Sequence, residues 1–350
     1  MKSKNLSEKI LKPLKTKGFK YIELPSVIEV NHIVQRSGEN FRKFIFSFID
    51  QNGSELCLRP DLTIVSCLRY LEKNFKSKEK ISYSGQAYRK SQNKKDSIIR
   101  NQIGFEIIGS KGEKNDDKEI IDTSLKSLKN LKYSSGKLTL GNVEIFNLLI
   151  SKLDIPKRWK LRLSRHFWRE NYFNDLLKRL ETNSDVDPTI VEIDKKSYLK
   201  MLKEDKSSII AGRSIEEILS RFDKKIKDPR RTKKGKNVSK IIKEFLKIKC
   251  PINKAAKELN KFFKKYQINL TVDQRYFPIS NNRISKLSVV FSTSFGRQLE
   301  YYTGMVFKID IKSNNKIKNI INGGRYDQLI SDLGSKKQIS AVGAALNLNY

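Results

Sequence analysis

The spacing of apolar residues along the chain changes several times, and each change predicts a different element. Leu6, Ile10 and Leu14 recur at i, i+4 and i+8, which predicts a helix over residues 6–17 closed by Gly18. Pro13 is the residue that works against this helix. Residues 44–49 form an apolar run, 50–53 a polar turn containing Asn52-Gly53, and 56–58 a second apolar run, which is the pattern of a β-hairpin. Residues 62–71 read as a helix. Residues 81–88 and 103–108 read as an antiparallel strand pair, with 90–97 in the loop between them.

From about Asp117 the period becomes helical. Ile121, Leu125 and Leu128 share a face, and 143–153, 173–180, 215–222 and 241–248 continue the pattern. Residues 224–236 hold eight Lys or Arg against one acid, together with Pro229 and Gly235, and read as a solvated loop. Strands return after Tyr266, at 268–272, 287–291, 305–309 and 317–321. A turn carrying Gly323 and Gly324, a short helix up to Leu333 and a last element at 341–346 follow. In isolation, Gly323 and Gly324 read as residues permitting a turn with positive φ. The expected architecture is α+β: an antiparallel sheet flanked by helices, built from 1–117 and 266–350, with a mainly helical insertion at 118–265.

Composition narrows the chemistry. Cys57, Cys67 and Cys250 form no CxxC pair, and with only His32 and His166 available no zinc constellation exists; no cofactor is expected. Sparse, odd cysteines suit a reducing compartment. The Lys-rich residues 1–14 lack an apolar core, and no run approaches the roughly 20 apolar residues that span a bilayer, so a cytoplasmic protein is expected. The 350 residues carry 72 Lys and Arg against 38 Asp and Glu, a net charge of +34. The cations are spread along the whole chain. Lysine-biased composition accounts for them, and the alternative is a polyanion partner. Trp159 and Trp168 read as packing residues, and neither histidine is given a role.

Four stretches are specific when taken together and in order. Leu58-Arg59-Pro60-Asp61-Leu62-Thr63 comes first. Tyr83-Ser84-Gly85-Gln86-Ala87-Tyr88-Arg89 follows, with Asn101-Gln102-Ile103-Gly104-Phe105-Glu106 after it. Then come Arg297-Gln298-Leu299-Glu300-Tyr301-Tyr302-Thr303-Gly304 and Gly323-Gly324-Arg325-Tyr326-Asp327. They resemble the signatures LRPE-x-T, Y-x-G-x-x-F-R with H-Q-x-G-x-E, R-G-L-D-Y-Y-T-G and G-G-R-Y-D of the histidyl-tRNA synthetase branch of class II aminoacyl-tRNA synthetases. Residues 18–29 are similar to the dimer-forming first motif of that class.

The resemblance implies a class II fold, self-association as a dimer, and a histidine site. Asp61 and Thr63 would meet the ammonium and Arg89 the carboxylate. Glu106, Tyr301, Tyr302 and Tyr326 would line the ring site. Gln102 and Arg297 would lie close to the reacting carboxylate and phosphate. The ATP half departs from the pattern. Lys90-Ser91-Gln92-Asn93 replaces an acid–base pair, and Arg100 stands where an aromatic residue stacks on adenine. Residues 342–350 contain no arginine to match the one that binds ATP. No residues are left for an anticodon-binding domain. This combination is similar to the paralogous regulatory subunits of ATP phosphoribosyltransferase, which are not catalytic alone. They partner a short catalytic subunit in the first step of histidine biosynthesis and bear on feedback inhibition by free histidine. Two alternatives stay open: a truncated synthetase-like enzyme that activates histidine, and a basic RNA-binding protein. No membrane partner and no specific nucleic-acid partner are expected.

Overall fold

A computed structural model describes residues 2–37, 39–73, 77–90, 97–131, 133, 135–182, 195–197, 199–200, 209–210, 213–226, 232–278, 286–296, 301–313 and 316–348. The chain divides into two compact units, one of 1–148 with 247–350 and one of 149–246.

The larger unit is built on a nine-stranded sheet. Its strands are β1 (Lys20–Tyr21), β5 (Glu79–Tyr88), β6 (Ile99–Ile108), β7 (Ser135–Asn142), β10 (Lys249–Pro251), β11 (Lys286–Ser292), β12 (Met305–Ser313), β13 (Lys316–Arg325) and β14 (Ala341–Asn347), in the order β1-β5-β6-β14-β13-β12-β7-β11-β10. Pairing is antiparallel except for β1 with β5 and β7 with β11, so the sheet is mixed. Beside it stands a three-stranded sheet of β2 (Val27–Glu29), β4 (Glu55–Leu58) and β3 (Ser47–Ile49). The α+β class and the flanking helices are as the sequence predicts.

Helices α1 (Lys2–Thr16) and α4 (Glu113–Asn130) bury Ile10, Leu14, Ile120, Ile121, Leu125 and Leu128, as their spacing predicts; the side chain of Leu6 lies outside the described ones. Pro13 is accommodated inside α1. The Lys9 carbonyl, which a proline four residues on cannot reach, accepts from Asn130 Nδ2 at 3.5 Å. Helix α2 (Val30–Ser37) and helix α3 (Leu62–Glu72) pack into a second cluster with Tyr70, Ile81, Leu329 and Ile330.

Several expectations are corrected. The mainly helical interruption is narrower than 118–265. Ser135–Asn142, unremarked in the sequence, is a central strand whose Gly136 and Gly141 admit Asp310 and Phe295 backbone oxygens where a Cβ would come within 2.7 and 2.3 Å. Residues 247–265 also belong to the larger unit. Residues 268–272 form no strand, because the Asn260 amide takes both backbone groups of Val272, at 2.8 and 2.9 Å. Gly323 and Gly324 lie within β13 and neither has positive φ. The reason for glycine there is close packing. A Cβ on Gly323 would stand 2.5 Å from the Gly343 oxygen and 2.6 Å from the Phe307 ring, and one on Gly324 2.7 Å from Tyr302.

Helix α5 (Val143–Lys152) follows β7 in the chain, and the smaller unit contains α6 (Lys157–Arg165), α7 (Glu170–Glu181), α8 (Ile215–Ile226), α9 (Thr232–Phe245) and a two-stranded ribbon, β8 (Ile209–Ile210) with β9 (Arg213–Ser214). Helix α9 begins inside the stretch expected as a loop. Gly235 packs there against the Leu180 carbonyl, where a Cβ would be 1.8 Å away. Trp159 is buried as a packing residue, with the Arg158 and Arg162 guanidinium groups 5.8 and 5.5 Å from its ring. Among the described residues, no helix is long and apolar enough to cross a membrane.

The Gly323 contact is testable. Gly323→Ala must push β14 backbone or the buried Phe307 aside, so a loss of about 2–4 kcal/mol is expected. Denaturant unfolding would show it, and an unchanged midpoint would refute the packing account.

Candidate functional site

Strand periodicity places the site. On β6, Gln102, Gly104 and Glu106 alternate onto one face, and they face Asn347, Ala345 and Gly343 of β14 in register. On the other side Gly104 faces Tyr83 of β5. A Cβ on Gly104 would be 2.2 Å from the Tyr83 ring, and one on Gly343 would be 1.3 Å from Glu106 Oε2. The two glycines make room for an aromatic ring and a carboxyl group in the middle of the sheet.

Glu106 is wholly buried. Tyr83 Oη donates to its Oε1 at 2.5 Å and Thr63 Oγ1 donates to the same atom at 3.1 Å. Tyr326 Oη donates to its Oε2 at 2.6 Å. Burial pushes the Glu106 carboxyl up to about 7 against the pull of these three hydroxyls. The same burial holds the Tyr83 and Tyr326 phenols well above their ordinary range.

Above this cluster lies a cavity of about 420 Å³ lined by Asp61, Thr63, Arg89, Gln102, Tyr301, Tyr302 and Tyr326 among others. Asp61 is the N-cap of α3: its Oδ1 accepts from the Ile64 N–H at 2.9 Å. Its Oδ2 lies 3.3 Å from Arg89 Nη2. Arg89 is fixed by Nε donating to the Pro60 carbonyl at 2.7 Å and stands over the Phe41 ring at 5.6 Å. Tyr301 and Tyr302 meet edge to face at 4.9 Å, and Tyr301 meets Tyr326 at 5.9 Å. The far end is rich in amides and cations: Arg100, Lys308, Asn319, Asn322 and Asn347, with Gln102 Nε2 donating to Asn347 Oδ1 at 2.8 Å.

Of the nine residues expected from sequence, seven line one cavity. Glu106 lies beneath it, bonded to Thr63 and Tyr326 of its wall and set against Gly343. Arg297 lies outside the described residues, as do Ser91, Gln92, Asn93 and Tyr350. Arg100, expected in place of a stacking residue, lines the cavity. Sequence reasoning does not single out Tyr83, which stands in a motif without a role of its own, nor Lys308, Asn319, Asn322 and Asn347, which join the cavity only once β12, β13 and β14 are paired. The remaining motif residues hold the frame. Arg59 Nε donates to the Gln86 carbonyl, and its Nη1 donates to the Leu24 and Pro25 carbonyls. Arg325 is buried and donates to Asp117, Asp327 and Ser340, which ties β13 to α4. Burial pushes Asp117 up to about 6, with Arg325 opposing.

A family model described as histidyl-tRNA synthetase matches residues 1–350. The chain belongs to this family. Within it, the chain is 28% identical over 345 residues to a protein of Brucella anthropi named ATP phosphoribosyltransferase regulatory subunit, covering 94% of this chain and 91% of that one. A protein of the same name from Sinorhizobium fredii is 26% identical over 348 residues, covering 94% and 90%. Among solved structures, an ATP phosphoribosyltransferase regulatory subunit/histidyl-tRNA synthetase from Bacillus halodurans aligns with TM-score 0.56 and 22% identity over 98% of this chain and 76% of that one. A histidyl-tRNA synthetase from Nostoc sp. aligns with TM-score 0.60 and 15% identity over 98% and 69%. The fold is the one these synthetase structures share.

The buried carboxyl gives a pH prediction. Its folded value is raised, so the folded chain holds this proton more tightly than the unfolded chain does. The associated stability is present below about pH 4.5 and lost as pH rises through about 7, on the order of 3 kcal/mol. Thermal unfolding of wild type and Glu106→Gln from pH 5 to 8 is expected to show a wild-type decline that the variant lacks. Parallel curves would show that Glu106 does not titrate there.

Proposed function

We propose that this chain is the regulatory subunit of an ATP phosphoribosyltransferase, inactive alone, which serves the first step of histidine biosynthesis with a separate catalytic subunit. The observation that carries the reading is the name shared by relatives that match 94% of the chain at 26–28% identity. The cavity supports it. Asp61 and Arg89 offer opposite charges for an amino acid's ammonium and carboxylate, and Thr63, Tyr326 and buried Glu106 form a polar ring site beside them. Free histidine is the ligand proposed, with Arg297 included in the site by resemblance alone. Arg100, on the cavity wall, supports a site that binds an amino acid without stacking adenine on an aromatic residue.

Self-association belongs to the same proposal. Val27 (40%), Phe48 (45%) and Ile49 (72%) are exposed on the three-stranded sheet, which contains part of the stretch similar to the dimer-forming motif. Covering these side chains is the expected use of an exposed apolar group on a sheet.

The test is calorimetric titration of histidine into the purified chain, with Tyr326→Phe and Arg89→Ala alongside. Binding weakened tenfold or more in both variants is expected. Turnover of ATP and phosphoribosyl pyrophosphate should require the catalytic subunit. Turnover by the chain alone, or histidine-dependent pyrophosphate exchange, would make it an enzyme instead. Light scattering should give a dimer for wild type, and for Ile49→Asp with Val27→Asp a monomer. A dimeric double variant would move the interface elsewhere.

A further inference from the structure

Helix α6 holds its cations where a helix on its own does not favour them. Residues 157–169 contain six Lys or Arg and no acid. Three of these, Lys157, Arg158 and Lys160, occupy the first turn of α6, at the positive end of the helix dipole, and neither an acid nor a side-chain cap offsets them there. Lys157 with Lys160, Arg158 with Arg162, and Arg162 with Arg165 are like-charge neighbours three or four residues apart, which weakens the helix further. Cations on other helices of the same unit do find acids: Lys178 pairs with Asp175 on α7, and Lys243 of α9 pairs with Glu181 of α7. Among the described residues, no carboxylate forms an ion pair with Lys157, Lys160, Arg162 or Arg165.

The surface of the helix shows what would offset this arrangement. Trp159 and Leu163 are buried in the core of the unit. On the opposite side Lys157, Leu161 and Arg165, at i, i+4 and i+8, form an exposed ridge. Leu161 stands between the two cations and is 62% exposed. Arg162 flanks the ridge, held by its Nη2 donating to Tyr172 Oη at 3.1 Å and by the Trp159 ring 5.5 Å from its guanidinium. A leucine left in water among cations has the form of a contact surface, an apolar anchor inside a charged rim. A nucleic-acid backbone offers phosphates to the cations and nothing to the leucine. A second copy of this chain brings a net charge of +34 to the contact. A protein surface with carboxylates around an apolar side chain meets the cations, the helix dipole and the leucine together.

We propose that this ridge of α6 docks an acidic surface of the catalytic subunit, with Leu161 seated against an apolar side chain and Lys157, Arg162 and Arg165 against carboxylates. The proposal rests on the reading of this chain as a regulatory subunit with a separate catalytic partner, and the experiment separates the two. The full chain is titrated with the short catalytic subunit of the same organism at about 50 mM and about 500 mM salt, a range over which exposed charges become screened. Wild type should bind at low salt and lose about tenfold or more in affinity at high salt. At low salt, Lys157→Glu with Arg165→Glu should weaken binding by about a hundredfold, and Leu161→Ser by about tenfold. Lys157→Glu alone places an acid in the first turn, so its thermal midpoint should equal or exceed that of wild type while its affinity for the partner falls. That pairing distinguishes a lost contact from a lost fold. Undiminished binding by the double variant, or wild-type binding that salt does not change, overturns the proposal and leaves the regulatory-subunit reading standing. Failure of wild type to bind the catalytic subunit at either salt concentration overturns both. If every variant keeps the catalytic subunit while the charge variants lose binding to unfractionated transfer RNA, the ridge belongs to nucleic acid and the proposal falls.

Discussion

The centre of this molecule is organised around one buried carboxyl group, Glu106, whose hydrogen-bond partners among the described residues are three neutral hydroxyls. Leaving an ionisable group inside a sheet without donors costs several kcal/mol, so donors must be brought to it. They come from far apart in sequence: Thr63 from the first turn of α3, Tyr83 from β5 and Tyr326 from the residue after β13. The strands accommodate this by omitting side chains. Gly104 clears the space that the Tyr83 ring fills, and Gly343 clears the space for the carboxyl itself. Any change at these positions is felt in the sheet and in the cavity alike, because they are one construction.

The motifs show how structure and site are divided between neighbouring residues. In Arg325-Tyr326-Asp327 the two charged residues turn together. They lock β13 to Asp117 of α4 and to the start of β14, whose Ala341 N–H donates to Asp327 at 2.8 Å. Tyr326 turns the other way, to Glu106. In the stretch from Arg59 to Thr63, Arg59 fastens backbone carbonyls, Asp61 caps the helix and Thr63 reaches the carboxyl. Residues that fasten the frame and residues that line the cavity therefore sit side by side in the same motifs, and Asp61 does both.

Much of this was legible from sequence because the signals were local. Ile10 and Leu14, or Ile121, Leu125 and Leu128, mark a buried helix face through spacing alone. The motif residues Asp61, Thr63, Arg89, Gln102 and Tyr326 converge because each is read from its own short stretch. What escaped was set by contacts distant in sequence. Ser135–Asn142 carries two glycines and alternates poorly, and it is a strand because β11 and β12 flank it. Gly323 and Gly324 look like a turn until Phe307, Gly343 and Tyr302 are placed against them. The withdrawal of Glu106 beneath the cavity surface depends on Gly343, more than two hundred residues away, and no periodicity within β6 announces it.

Aspartate at position 61, one methylene shorter than the glutamate of the synthetase signature, fits this arrangement for a geometric reason. An N-cap side chain must fold back onto the backbone N–H groups of the first turn, which aspartate does and glutamate does poorly. With Oδ1 committed to Ile64, Oδ2 is left beside Arg89 at 3.3 Å, a loose pair by the standards of a charge-assisted bond. On the histidine reading, the ligand's ammonium and carboxylate insert into that pair, replacing one weak contact by two charge-assisted ones. The gain is the difference between them, because Asp61 and Arg89 have already neutralised each other in the empty cavity. On that reading such a site would hold its ligand reversibly, and the Asp61–Arg89 pair keeps both charges partnered without it.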